Sequence, residues 1–195
     1  MPQLKIAVLG SGKGSNFRAI LSAIMAGHLR VSPVLAASDV ADAGILTLAD
    51  NLGIPTTVIN EPKFQTRLSE NVESKLVEDL QASGAELIVL AGYMRLVKAP
   101  LLEAFPRRII NIHPSLLPSF PGLEAWRQAL TAGVKITGCT VHFVDSGMDT
   151  GEIIAQSEVS ILPGDTPETL HARIQEAEHE LYPEVLARFA RRVFP

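Results

Sequence analysis

A short apolar run followed by a segment of helical periodicity recurs along the first 113 residues, and few architectures accommodate that alternation. Ile6–Leu9 reads as a strand ended by Gly10-Ser11-Gly12-Lys13-Gly14. Ser15 and Asn16 offer N-cap side chains to a helix running to about Ala26 and closed by Gly27. Val31–Ala37 is a second strand, Ala41–Leu52 a helix stopped by Gly53, and Thr56–Ile59 a short third strand. Over Arg67–Ala82 the apolar residues Leu68, Val72, Leu76, Val77 and Leu80 fall on one helix face. Leu87–Ala91 is continuously apolar, as a strand buried on both faces must be, and Arg108–His113 is a further strand stopped by Pro114.

The second half breaks the alternation. A Pro- and Gly-bearing loop, Pro114–Gly122, leads to a short helix over about Glu124–Ala132. Ile136–Val144 and Glu152–Ile161 then read as a hairpin-like strand pair joined by Asp145–Gly151. A final helix starts after Asp165 or Thr166, with Pro183 expected to bend or interrupt it. The expected fold is α/β: a doubly wound, mostly parallel sheet with an antiparallel C-terminal strand pair. With no repeat and no linker in 195 residues, one domain spanning 1–195 is expected.

Composition narrows function. Only 5% of residues are aromatic, so Val, Ile, Leu and Ala must fill the core. The single cysteine, Cys139, excludes a disulfide framework and any cysteine-rich zinc module, and inside a strand it reads as a small core residue. A net charge of −4 argues against a nucleic-acid partner. No apolar stretch reaches the ~18 residues needed to span a bilayer, and Ile6–Leu9 is too short for a signal-peptide core. A cytoplasmic protein acting on small molecules, without membrane attachment and as monomer or homodimer, is the expectation.

The glycine loop stands where α/β folds hold phosphate. Glycines admit a close anion, and the following helix offers free N–H groups and a favourable dipole. Lys13, Ser15 and Asn16 add donors. Neither nucleotide fingerprint fits: G-x-G-x-x-G places Ser15 or Phe17 at its third glycine, and a Walker loop ending at Gly12-Lys13 would need glycine at Ala7. The loop therefore points to a phosphate-bearing ligand or to a tight turn, and less to a dinucleotide.

Asn111 and His113 lie two apart in a strand and so share a face at its carboxyl end. An amide donor beside an imidazole suits a carbonyl whose oxygen becomes negative during reaction. Asp149, in the loop Asp145–Gly151, offers a carboxylate to hold His113 protonated or to accept a proton through water. No G-x-S-x-G elbow supplies a nucleophile. On spacing alone, a loop cap, a strand-end histidine and a turn aspartate read equally well. A metal site assembled from distant residues is a further reading of His28, His113, His142, His171 and His179, although no pair has the H-E-x-x-H spacing. Met94 and Trp126 read as packing residues, Arg67 and Arg95 as surface charges, and Glu178 as a solvated helix residue.

Seven stretches change that balance: S-G-K-G-S-N at 11–16, L-A-G-Y-M-R at 90–95, N-I-H-P-S-L-L-P at 111–118, P-G-L-E-A at 121–125, G-C-T-V-H-F-V at 138–144, D-T-G at 149–151 and A-E-H at 177–179. Together they resemble, in order and over nearly the whole chain, the phosphoribosylglycinamide formyltransferase family of folate-dependent enzymes of purine synthesis. The resemblance implies a formyltransferase fold and transfer of formyl from 10-formyltetrahydrofolate to the amine of glycinamide ribonucleotide, with no metal. It implies Asn111, His113 and Asp149 as the catalytic trio, and Gly14, Ser15, Asn16 and Glu178 as ribonucleotide-binding. Arg67, Met94, Arg95, Leu96, Val97 and the shared Asn111 are implied as folate-binding. A phosphate-binding half of about residues 1–100 and a folate and catalytic half of about 101–195 follow.

Lys13 stands where some members carry asparagine, and Trp126 where a histidine is common. Methionyl-tRNA formyltransferase and formyltetrahydrofolate deformylase resemble parts of the chain but carry an extra C-terminal or N-terminal domain that these 195 residues do not accommodate. Two rival readings remain. One is hydrolysis of the same folate to formate. The other is a nucleotide-binding module or nicotinamide oxidoreductase, with Asp39 on a ribose.

Overall fold

The computed structural model describes residues 3–64 and 66–191. Its seven-stranded sheet runs in the order β3-β2-β1-β4-β5-β6-β7. The strands are β1 (Leu4–Leu9), β2 (Val31–Ser38), β3 (Thr56–Val58), β4 (Leu87–Leu90), β5 (Ile109–His113), β6 (Ile136–Phe143) and β7 (Ile153–Ser160). The first five pair in parallel, whereas β6 is antiparallel to both β5 and β7. The sheet is thus mostly parallel with an antiparallel C-terminal pair, as the run pattern predicts. The order reverses between β1 and β4, the switch point at whose carboxyl side open α/β sheets bind ligands.

The pleat divides the core. Ile6, Val8, Leu87, Val89, Ile110 and Ile112 join one apolar cluster with α1 (Ser15–Met25), α2 (Gly44–Asp50) and α6 (Pro167–Ala190). Ala7, Leu9, Ile88, Leu90 and Ile109 join the opposite cluster with α3 (Glu70–Ala82) and α4 (Ala99–Ala104). By the same alternation Asn111 and His113 lie on the second face. Residues 114–124 and 145–151 meet at this face: the Leu117 amide bonds Thr140 Oγ1 of β6, and the Gly122 amide bonds Asp149 Oδ2. A short α5 (Ala125–Ala132) packs against α6.

Several boundaries depart from the sequence expectation. Helix α2 begins at Gly44, not Ala41, because Ala43 is extended and Gly44 sits where a Cβ would lie 2.8 Å from the Lys13 carbonyl oxygen. Helix α3 begins at Glu70 because Arg67 is drawn into a parallel bridge with Leu96. Helix α4 was not expected: six residues carry too little periodicity, and Pro100 in its first turn is the one available signal. Helix α6 continues through Pro183. An interior proline costs about 3 kcal/mol, but Leu181, Tyr182, Val185, Leu186 and Phe189 around it are buried, and each buried apolar side chain contributes about 1.5–3 kcal/mol. Tyr182 also donates its hydroxyl to the Leu90 carbonyl at 2.9 Å, with the Ile110 carbonyl at 3.2 Å, tying α6 to two strands.

Candidate active site

Asn111, His113 and Asp149, separated in sequence, meet at the carboxyl end of β5. His113 Nε2 lies 2.9 Å from the Phe120 carbonyl oxygen, and its Nδ1 lies 3.3 Å from Asp149 Oδ2. A carbonyl only accepts, so Nε2 carries a proton, and the carboxylate at the other nitrogen suits a second N–H donor. Asp149 Oδ2 also accepts the Gly122 amide at 2.8 Å, which pins the 145–151 loop to the segment after β5. Phe120, Glu124 and Asp149 all take positive φ without being glycine, a local cost that the surrounding contacts must hold.

A second histidine belongs to this cluster and was not singled out as catalytic from the sequence. Residues 111 and 142 are direct partners across the antiparallel β5–β6 ladder. His142 Nδ1 donates to the Phe143 carbonyl at 2.8 Å, which leaves Nε2 as an acceptor for the Asn111 amide at 3.2 Å. Burial lowers the pKa of His142, in keeping with a neutral ring in that role. The Asn111 amide is thereby oriented, one hydrogen spent on His142 and the other left for a carbonyl oxygen. His142 Nε2 is 3.7 Å from Asp149 Oδ1, so the carboxylate stands between two imidazoles. Only the strand register reveals this histidine.

The glycine loop corrects one expectation. Ser15 and Asn16 do not cap α1; Gly14 is the N-cap, at φ 75°, and among the described residues no side chain caps the helix. Its first-turn N–H groups are left to be satisfied from outside. A Cβ on Gly14 would meet Ile45 and Leu48 of α2 at 3.0 Å, so this glycine serves backbone conformation and packing. A Cβ on Gly12 meets nothing within 4 Å, so Gly12 is the glycine facing open space.

Asn16 is buried and donates to Glu178 Oε2 at 2.9 Å, joining the N-terminus of α1 to α6 and the first half of the chain to the second. Glu178 is therefore not a solvated helix residue. Burial lifts its pKa to about 7 despite the Asn16 hydrogen bond that favours the charged form. Among the described residues Asn16 Oδ1 is buried with no hydrogen-bond partner, an acceptor beside a carboxyl group.

Around the other loop, the bridge between Arg67 and Leu96 brings Arg67 beside the 94–97 run. The Arg67 guanidinium lies 4.5 Å from the Phe64 ring centroid. Val97 is buried and Leu96 half-buried, whereas Met94 is 59% exposed and is not a packing residue. Arg95 is not a free surface charge either: its Nε bonds Asp39 Oδ2 at 2.6 Å with both side chains largely buried. That pairing commits Asp39 and removes the acidic residue a dinucleotide ribose would use. Trp126 does pack, stacked on His171 at 3.8 Å, and Cys139 is buried, with its thiol pushed up to about 12 chiefly by burial.

Residues 4–186 match the formyl transferase family. The chain belongs to that family. Among relatives of this formyl transferase is the phosphoribosylglycinamide formyltransferase of Bacillus subtilis (strain 168), 44% identical over 182 residues, covering 93% of this chain and 92% of that one. Among solved structures, glycinamide ribonucleotide transformylase 1 from Symbiobacterium toebii superimposes with a TM-score of 0.91 at 48% identity, covering 97% of this chain and 89% of the other. Phosphoribosylglycinamide formyltransferase from Bacillus halodurans does so with a TM-score of 0.91 at 43% identity, covering 97% of each. Among the described residues of this formyl transferase, no helix is long and apolar enough to cross a membrane, and no group of three or more His, Cys, Asp or Glu could hold a metal ion.

Proposed function

We propose that the chain transfers the formyl group of 10-formyltetrahydrofolate to the amine of N1-(5-phospho-β-D-ribosyl)glycinamide, a step of de novo purine synthesis. The convergence of Asn111, His113 and Asp149 carries this reading, because it gathers an amide donor, an imidazole and a carboxylate where a carbonyl substrate can reach all three. The amine attacks the formyl carbon and forms a C–N bond as the carbonyl electrons move to oxygen. The free Asn111 amide hydrogen donates to that oxyanion. Both donor directions of His113 are taken in this arrangement, so its donation to the oxyanion requires the 120–124 segment to release Phe120 O. Asp149 receives the proton from the attacking nitrogen through a water. Collapse restores the carbonyl and breaks the bond to N10 of the folate, which takes up a proton.

The uncapped first turn of α1 suits the 5′-phosphate on the amides of Gly14, Ser15 and Asn16, with the ribose toward Asn16 Oδ1 and Glu178. Arg67 suits an anionic part of the folate, and the backbone of Met94, Arg95, Leu96 and Val97 suits its pterin ring, with Asn111 shared between the ligands. The substrates are small molecules of the cytoplasm. Purified protein with both substrates, and formylated product followed by mass, tests the reading. No product above a no-enzyme control overturns it, and formate released without the ribonucleotide replaces it with hydrolysis.

A further inference from the structure

We infer that Asp39 is a positioning residue that holds the glycine loop and the 94–97 run in one fixed relation, so that two substrates meet in register. This inference rests on the reading of those two segments as the ribonucleotide and folate sites. The segments leave β1 and β4, the neighbours at which the strand order reverses, and past the strand ends the Ala91 amide bonds the Leu9 carbonyl at 2.8 Å and the Gly10 amide the Ala37 carbonyl at 3.1 Å. Beyond these, a chain of hydrogen bonds links the two segments. The Ser11 amide donates to the Gly92 carbonyl at 3.0 Å. The Met94 amide donates to Ser11 Oγ at 2.9 Å, and that hydroxyl donates to Asp39 Oδ1 at 2.5 Å. The second oxygen of Asp39 accepts Arg95 Nε, and Arg95 Nη1 donates to the Phe64 carbonyl. One carboxylate at the end of β2 thus joins the glycine loop, the 94–97 run and the segment that carries Arg67.

Burial gives the link its stiffness. The side chains of Asp39 and Arg95 are 5% and 12% exposed, so the ion pair is poorly screened and each partner depends on the other. Formyl transfer needs the amine and the formyl carbon at near-contact distance, and a displacement of about 1 Å costs roughly a hundredfold in rate. A residue that touches neither substrate but sets their separation therefore acts on turnover more than on either affinity.

The test compares the wild-type chain with Ser11→Ala, Asp39→Asn and the double variant in steady-state turnover of both substrates. Ser11→Ala breaks the link while leaving the Asp39–Arg95 pair in place, so it stays informative where Asp39→Asn disturbs folding. Each single variant is expected to lower kcat about tenfold or more, with both KM values moving less than about threefold. The double variant is expected to be no worse than the more impaired of the two single variants, since both cuts sever one chain. Hydrogen exchange of the ligand-free Ser11→Ala chain should rise at Met94, whose amide loses its acceptor, with the β4 amides unchanged. An active wild type whose variants keep kcat within about twofold, or lose only one KM, or multiply their losses in the double, overturns the positioning role alone. A wild-type chain that makes no product overturns the functional reading beneath it.

Discussion

Glu178→Gln isolates the energetic cost of burying a carboxyl group at the proposed ribonucleotide site. The substitution keeps an oxygen to accept the Asn16 amide at the position Oε2 now occupies, and it removes the charge. Burial raises the Glu178 pKa from 4.5 to about 7. A group whose folded pKa is raised contributes stability that is fully present below its unfolded pKa and is lost as pH rises through its folded one. Raising a carboxyl by that amount corresponds to about 3 kcal/mol, lost between about pH 4.5 and about pH 7. The pKa values of buried His142 and half-buried His171 and His179 are lowered chiefly by desolvation and bend the wild-type profile the opposite way, so the variant is the proper reference. Urea unfolding of both proteins at about pH 5 and about pH 8 measures the difference. Relative to wild type, Glu178→Gln should gain about 2–3 kcal/mol on going from the lower pH to the higher, part of the loss having already occurred by about pH 5. It should also bind the ribonucleotide more weakly, the familiar exchange between stability and function. Parallel stability profiles for the two proteins would refute the argument, because they would mean that Glu178 titrates alike folded and unfolded.

Asn111→Ala should lower turnover by about 10²–10³ with substrate dissociation constants far less changed, as steady-state kinetics beside calorimetric titration will show. Asp149→Asn should cost at least as much, since it removes the charge beside His113 and the proton acceptor together; near wild-type turnover from about pH 6 to about pH 9 would end that assignment. Gly12→Val should weaken ribonucleotide binding with little loss of melting temperature, whereas Gly14→Val should chiefly destabilise the chain, because its side chain meets α2 and its φ is 75°. Tyr182→Phe should cost about 1 kcal/mol in denaturant unfolding, the worth of one buried hydrogen bond to the strand carbonyls.

Local physics writes itself into consecutive residues. The continuous apolar runs of β1 and β4 followed from burial on both faces, and the spacing of Leu76 and Leu80 from one helix face against the sheet. The same logic set Asn111 and His113 on one face at a strand end, because side chains alternate whatever the neighbours are. The order of motifs carried the family. What lay beyond reach depended on partners distant in the chain. Glu178 reads as a solvated helix residue until α1 places Asn16 against it, 162 positions away. Arg95 reads as a surface charge until Asp39 meets it across the reversal of strand order. His142 joins Asn111 only through an antiparallel register that no spacing announces. Pro183 reads as a helix breaker because the local cost is visible and the packing that outweighs it is not. The sequence by itself determined which residues alternate, turn and carry chemistry, since those depend on near neighbours. Which of them are buried, paired and brought within hydrogen-bond distance was decided by the tertiary structure, because burial and electrostatic pairing are properties of the assembled surfaces.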